Sequence, residues 1–510
     1  MPSENISNSK RIAKNTLLLY FRMLFMMCVS LFTSRIILDT LGITDFGVYE
    51  VIGGMVSMFN IISGAMSVAV SRYITIWVGK NDPKQLNNVF STSIIIQATM
   101  AIIVCIACEI IGMWFMENKL VIPPDRMYAA HWVLQCSIIT FMIGLMNVPF
   151  NAVIIAHEKM SAFAYITILE VVLKLVFVYT LYVSPVDKLI LFAVGLAILS
   201  AFMRLVYATY CHRHFPESHF KMVFDKKLLK DMFGFIGWAF FGNGVVALKD
   251  QGTNMLLNIF CGPAVNAARG VAMKVNASVY SFVNNFLVAV NPQITKNYSI
   301  GNYTDMHKLI IRASKFAFYI MLLLLMPICA NVDYVLNLWL VEVPEHSSAF
   351  VTLVLLYSLI QCYYMPLLNG VLAQGDIKSY EIVLTILYLS NFITSYFLLK
   401  SGFAPEWTFV ANIVFELGVV CKLLLQSKSK FEFPINDYFK KTILRTVPIL
   451  LLCIAFIYIC SLYGAETFAV FILDTILIIA FTTICVATLG VTAKERQYLL
   501  TIVKNKIHHV

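Results

Sequence analysis

About fourteen stretches of this chain are apolar for long enough to cross a bilayer, which takes roughly 20 helical residues. They run roughly over 15–40, 46–72, 90–116, 127–149, 161–183, 189–211, 234–260, 264–291, 309–331, 347–373, 379–400, 406–426, 443–463 and 467–490. A chain built this way is an all-α polytopic membrane protein with about 14 transmembrane helices. Its composition agrees: 60% of residues are hydrophobic and 13% charged, where soluble proteins carry about 25% charged. No polar segment is long enough for a separate soluble domain.

The net charge of +10 falls mainly in short loops between the apolar runs. With the N-terminus in the cytoplasm, loops on that side hold about 25 of the 38 Lys and Arg, and outer loops about 5. That bias places both termini in the cytoplasm. No nucleic-acid partner is expected, because a binder clusters its basic residues on one exposed face. The polar, basic start resembles a signal peptide. Yet the apolar run behind it continues for about 25 residues, contains Arg22 and Arg35, and lacks a small-x-small cleavage site. It reads as a retained first helix.

The twelve cysteines are scattered, nearly all within apolar runs. Cys105 and Cys108 have metal-like spacing but no second pair, so neither a metal site nor a disulfide framework is expected. There is no Walker-type phosphate loop, paired-His motif or nucleophile elbow. The chain reads as a transporter without cofactor, not an enzyme. His157-Glu158, in a cytoplasmic turn, reads as a solvated pair.

An internal repeat appears at an offset of about 220 residues. Leu41-Gly42 followed by Asp45-Phe46-Gly47 answers Cys261-Gly262 followed by Val265-Asn266-Ala267. Arg72-Tyr73 and Gly79-Lys80-Asn81-Asp82 answer Pro292-Gln293 and Gly301-Asn302-Tyr303-Thr304. One unit spans six helices, and an even number returns the chain to its starting side, so the repeats are parallel. The expected organisation starts with a cytoplasmic segment over 1–14 and an N-lobe of helices 1–6 over 15–211. A cytoplasmic linker follows over 212–233, amphipathic across His219–Phe233. Then come a C-lobe of helices 7–12 over 234–426, a second linker over 427–442, helices 13 and 14 over 443–490, and a cytoplasmic tail over 491–510.

Polar residues concentrate between Gly234 and Pro292, in two helices joined at Cys261-Gly262-Pro263. Lys249, Asp250, Arg269 and Lys274 lie here, with Asn243, Asn254, Asn258, Asn266, Asn276, Asn284 and Asn285. A charge at the centre of a membrane helix costs roughly 2.5–3.5 kcal/mol and is tolerated where it faces a partner or a wet cavity. Arg22 and Arg35 in the first helix, with Lys249, Arg269 and Lys274, are therefore the candidate substrate-binding cations lining a polar cavity. Alternatives stand beside them: Lys249 can pair with Asp250 or Glu50, Arg35 with Asp39 at i,i+4, and Arg22 can snorkel to headgroups. Lys274 has no acid at helical spacing. Glu50 and Asp250 enter as charge partners or ion-coupling groups. Arg72 ends the second helix as a headgroup anchor or a first contact for an anionic substrate. Glu109, Glu416 and Asp474 are further acids able to couple an ion, with nothing to select one.

Ser34-Arg35-Ile36-Ile37 leading to Leu41-Gly42 and Phe46-Gly47-Val48-Tyr49, then Ser71-Arg72-Tyr73, together with the span count and repeat, give a resemblance. The chain resembles the polysaccharide-repeat (O-antigen type) flippases of the multidrug/oligosaccharidyl-lipid/polysaccharide exporter superfamily. That resemblance implies two six-helix lobes forming a V-shaped central cavity, in the cell inner membrane. It implies transfer of an undecaprenyl-diphosphate-linked oligosaccharide from the cytoplasmic to the periplasmic leaflet, serving a surface polysaccharide such as lipopolysaccharide O-antigen. Partners would be that lipid, the membrane lipids, and the polysaccharide polymerase and chain-length proteins, with the flippase itself a monomer. Physics points the same way: neither a diphosphate nor a hydroxylated sugar crosses hydrocarbon cheaply, and alternating access would carry both. The alternative is a cation-coupled multidrug exporter of the same superfamily. Such exporters usually have twelve spans and an acidic cavity.

Overall fold

The structure is a computed structural model. It describes residues 2–60, 82–157, 159–221, 226–374, 378–461, 467–492 and 495, with scattered positions between 63 and 77. Side chains are described from Leu24 onward, apart from 226–243 and a few single positions. The described chain is helical, with α1 (Pro2–Ser57), α2 (Pro83–Ala107), α3 (Met127–Ala156), α4 (Met160–Val183), α5 (Lys188–His214), α6 (Lys226–Cys261) and α7 (Pro263–Ser299). After these come α8 (Tyr303–Ala330), α9 (Val332–Trp339), α10 (Ser347–Gln374), α11 (Lys378–Lys400), α12 (Glu406–Phe431), α13 (Leu444–Ser461) and α14 (Phe468–Cys485). Among the described residues, 11 stretches are long and apolar enough to cross a membrane. The polar helices α6 and α7 are not among them, although they are 36 and 37 residues long.

Two of the predicted spans meet inside α1 without a loop. The join is Gly42, at φ 76° and ψ 170°, a backbone region that is essentially glycine-only. Gly262, between α6 and α7, also has positive φ, at 85°. These are the two glycines that the repeat pairs, and the rest of the repeat follows. The offset from the start of α2 at Pro83 to that of α8 at Tyr303 equals the offset from α3 at Met127 to α10 at Ser347. The starts of α11 and α12, at Lys378 and Glu406, follow those of α4 and α5, at Met160 and Lys188, by a shared offset only slightly shorter. The start signals match too. Asp82 caps α2 by accepting from the Lys84 and Gln85 amides at 3.1 Å each, and Asn302 caps α8 by accepting from Asp305 at 3.3 Å. Of the surface helix expected over His219–Phe233, residues 222–225 lie outside the described residues, and the part from Lys226 on is continuous with the rest of α6. The side chains of that stretch, from 222 on, lie outside the described residues.

The chain divides into two compact units, Met1–Gly270 with Leu340–Pro344, and Val271–Trp339 with Glu345–Val510. In unit 1, α3 packs along α5, and α1 packs on α3 and α4. Small residues permit close approach, as membrane helices require: a methyl at Gly195 of α5 would stand 1.9 Å from the Phe177 ring of α4. In unit 2 the repeat-related pair, α10 along α12, is again closely packed, and α13 and α14 lie against α8. The segment after α14 is pinned to α8 by an ion pair. Lys315 is 3% exposed and places Nζ 2.7 Å from Glu495 Oε2.

Candidate functional site

Glycines bring the second half of α1 against α6 and α7 in unit 1. A methyl on Gly47 would lie 1.9 Å from the Pro263 carbonyl oxygen, and one on Gly54 would lie 2.6 Å from Gln251 Oε1. One on Gly270 would lie 3.0 Å from the Glu50 carboxyl carbon. At such separations polar groups of neighbouring helices reach each other. Asn254 Nδ2 donates to the Glu50 carbonyl at 3.3 Å. Asn266 Nδ2 donates to the Asn254 carbonyl at 2.7 Å and to its Oδ1 at 2.8 Å. The Val121 amide donates to Asn258 Oδ1 at 2.7 Å. All three asparagines are buried, so they act as glue between chain segments rather than as a cavity lining.

The same knot gathers four of the expected charges. Lys249, 3% exposed, has Nζ 3.4 Å from Asp250 Oδ1. Arg269, 8% exposed, donates from Nη2 to the Asp250 carbonyl at 2.9 Å. Glu50 stands against Gly270, beside Arg269. The two cations and two carboxylates sum to no net charge. Arg35 is half-buried in unit 1. Asp39, one helical turn on, accepts the Tyr182 hydroxyl at 2.5 Å. Lys274 is half-buried in unit 2, on the same helix as Arg269, and its carbonyl accepts from Ser278 at 3.0 Å. Asn276 accepts the Ser358 hydroxyl at 2.6 Å. Arg72 and the side chains of Arg22 and Asn243 lie outside the described residues.

Several features escape a reading of the sequence. Arg126, in the turn before α3, donates to Asp45 Oδ1 at 2.7 Å and to Asp187 Oδ2 at 2.6 Å. It thereby ties three separate parts of unit 1 together. Asp187 also caps α5 through the Leu189 and Ile190 amides. Burial pushes the Asp187 carboxyl up, but Arg126 and the two amides outweigh it and hold the group below the usual carboxylate range. His157 is not merely a solvated neighbour of Glu158, which lies outside the described residues; its Nε2 sits 2.5 Å from Glu217 Oε1. In unit 2, Glu416 is fully buried on α12, accepting from Tyr388 at 3.2 Å and Gln361 at 3.4 Å. Such contacts join residues far apart in the chain, so no local spacing announces them.

Residues 12–298 match the family model described as polysaccharide biosynthesis protein, which is more than half of the chain. The chain belongs to this family. Residues 241–397 also match the MatE family model. No curated protein matches by sequence. Among solved structures, the lipid II flippase MurJ in an inward closed conformation is similar at TM-score 0.68 and 15% identity, over 93% of this chain and 99% of that one. A MOP superfamily transporter from Pyrococcus furiosus, described with a binding pocket of reverse polarity, is similar at TM-score 0.60 and 15% identity, over 84% and 97%. A multidrug resistance MATE family transporter in an outward-facing conformation follows at TM-score 0.57 and 14% identity, over 82% and 95%. These likenesses establish a shared fold for this polysaccharide biosynthesis family member, and its long apolar helices make it a multi-pass helical membrane protein.

Proposed function

We propose that this polysaccharide biosynthesis family member flips a lipid-diphosphate-linked oligosaccharide from the cytoplasmic to the periplasmic leaflet of the inner membrane, by alternating access. Lys274 carries the reading. It is a half-buried cation, and the topology read from the sequence sets it at membrane depth, where such groups mark substrate paths. Lys274 binds the diphosphate by charge-assisted hydrogen bonds, and Arg35 is a further cation assigned to the substrate's route. Arg22 joins Arg35 on its place in the first helix. Lys249 and Arg269, the other two expected cations, stay in the charge-balanced knot with Asp250 and Glu50, without direct contact. The substrate serves a surface polysaccharide of the O-antigen kind, with the polymerase and chain-length proteins as downstream partners. The likeness to a flippase that handles lipid II supports the reading.

Losing a hydrogen bond to a charged group costs about 1.5–3 kcal/mol. Lys274→Ala and Arg35→Ala are each expected to lower export roughly tenfold or more. The readout is surface-glycan display, with lipid-linked units retained in the inner leaflet. Normal display in the double variant, with the protein present in the membrane, would refute the assignment. The drug-exporter alternative draws on the MatE match and the buried Glu416. It requires drug sensitivity, not glycan loss, in a deletion strain.

A further inference from the structure

A cavity of about 280 Å³ lies inside unit 1, walled by α1, α3, α5 and the residues just past α1. Its polar wall is Ser57, Asn60, Ser63, Ser137 and Thr140, with Tyr49 and Phe141 supplying aromatic rings. No lining residue is charged.

Three observations mark the cavity as built to be filled. First, the helix is interrupted at Met58 and Phe59, between Ser57 and Asn60, where the Phe59 amide turns back to the Val56 carbonyl at 3.2 Å. Irregular backbone at membrane depth persists where it is enclosed by protein or lines a wet cavity, and interrupted helices mark binding positions in transporters. Second, glycine keeps the space open: a methyl on Gly144 would meet nothing within 4 Å. Gly144 and Asn60 are both exposed, so the cavity opens there. Third, the lining residues Ser137, Thr140 and Gly144 follow one another at three- and four-residue steps, which puts them on one face of α3.

We propose that this cavity is a subsite for one uncharged sugar ring of the transported lipid, an inference that rests on the flippase reading above. The volume falls just under the roughly 300–1,000 Å³ of drug-sized pockets, so it admits a ring and not a whole repeat unit. Hydroxyls and a carboxamide both donate and accept, which suits a polyol. Tyr49 and Phe141 offer apolar faces to the C–H side of the ring. A phosphate or a drug cation would find no counter-charge and would lose its hydration. An acyl chain would leave the hydroxyls unpaired.

The test measures binding of two probes to the purified full-length protein. One is undecaprenyl diphosphate, and the other is the host's lipid-linked oligosaccharide extracted from a deletion strain. Wild type is expected to bind the glycosylated lipid about tenfold more tightly than the bare one. Ser137→Ala combined with Thr140→Val is expected to erase that gain, and so is Gly144→Val, which fills the open space. Should the double variant fail to fold, judged by its melting curve, Gly144→Val decides alone. An intact gain in the folded variants, or equal affinity of wild type for both lipids, overturns the subsite and leaves the flippase reading standing. Failure of wild type to bind either lipid overturns both.

Discussion

Lys249 illustrates how little a membrane charge reveals until its neighbours are known. By sequence it has two possible acids and a cavity to choose from. It lies buried against Asp250, while Lys274 is the more accessible cation. Glu495 yields a residue-scale prediction outside the spans. Burial raises its carboxyl, but Lys315 and the Thr492 amide and hydroxyl outweigh that and hold it below the usual range. A carboxyl depressed by folding stabilises fully above its unfolded value, near 4.3, and the benefit fades as pH falls through the lower folded value. Glu495→Gln should therefore melt below wild type at pH 7, and the gap should close in acid below about pH 4. Arg126→Ala would leave Asp45 and Asp187 without their shared donor. It is expected to cost about 1.5–3 kcal/mol, read from denaturation in detergent.

At the scale of helices, glycine sets what can touch. Gly42 holds a backbone worth roughly 1–3 kcal/mol of strain to any other residue, and the Gly47 methyl position is already occupied by the Pro263 carbonyl. Gly47→Ala should thus lower the melting temperature and weaken glycan display together, because α1 must back away from α7. An unchanged melting curve would contradict the packing. These turns were legible in advance because their signals are local. A glycine at the join recurs from the first repeat to the second, and helix starts recur with it. The roles of Asn254, Asn258 and Asn266 were not legible. In lipid, the same side chain serves to bind a ligand or to tie helices, and only cross-helix register decides. The neutral cavity was hidden for the same reason, since it needs α1, α3 and α5 in one alignment.

For the molecule as a whole, the basic loops predict orientation. A tag at the C-terminus should be cleaved by added protease in inside-out vesicles and spared in intact spheroplasts. The reverse pattern would invert every assignment of inner and outer ends. The zero-sum knot of Glu50, Lys249, Asp250 and Arg269 bears on energetics. Moving one elementary charge across the membrane potential is worth about 2.3 kcal/mol per 100 mV. A cluster whose charges cancel does no net electrical work when it moves as one body. Voltage dependence of turnover then falls on charges outside the knot, among them Arg22, Arg35, Lys274 and the anionic cargo.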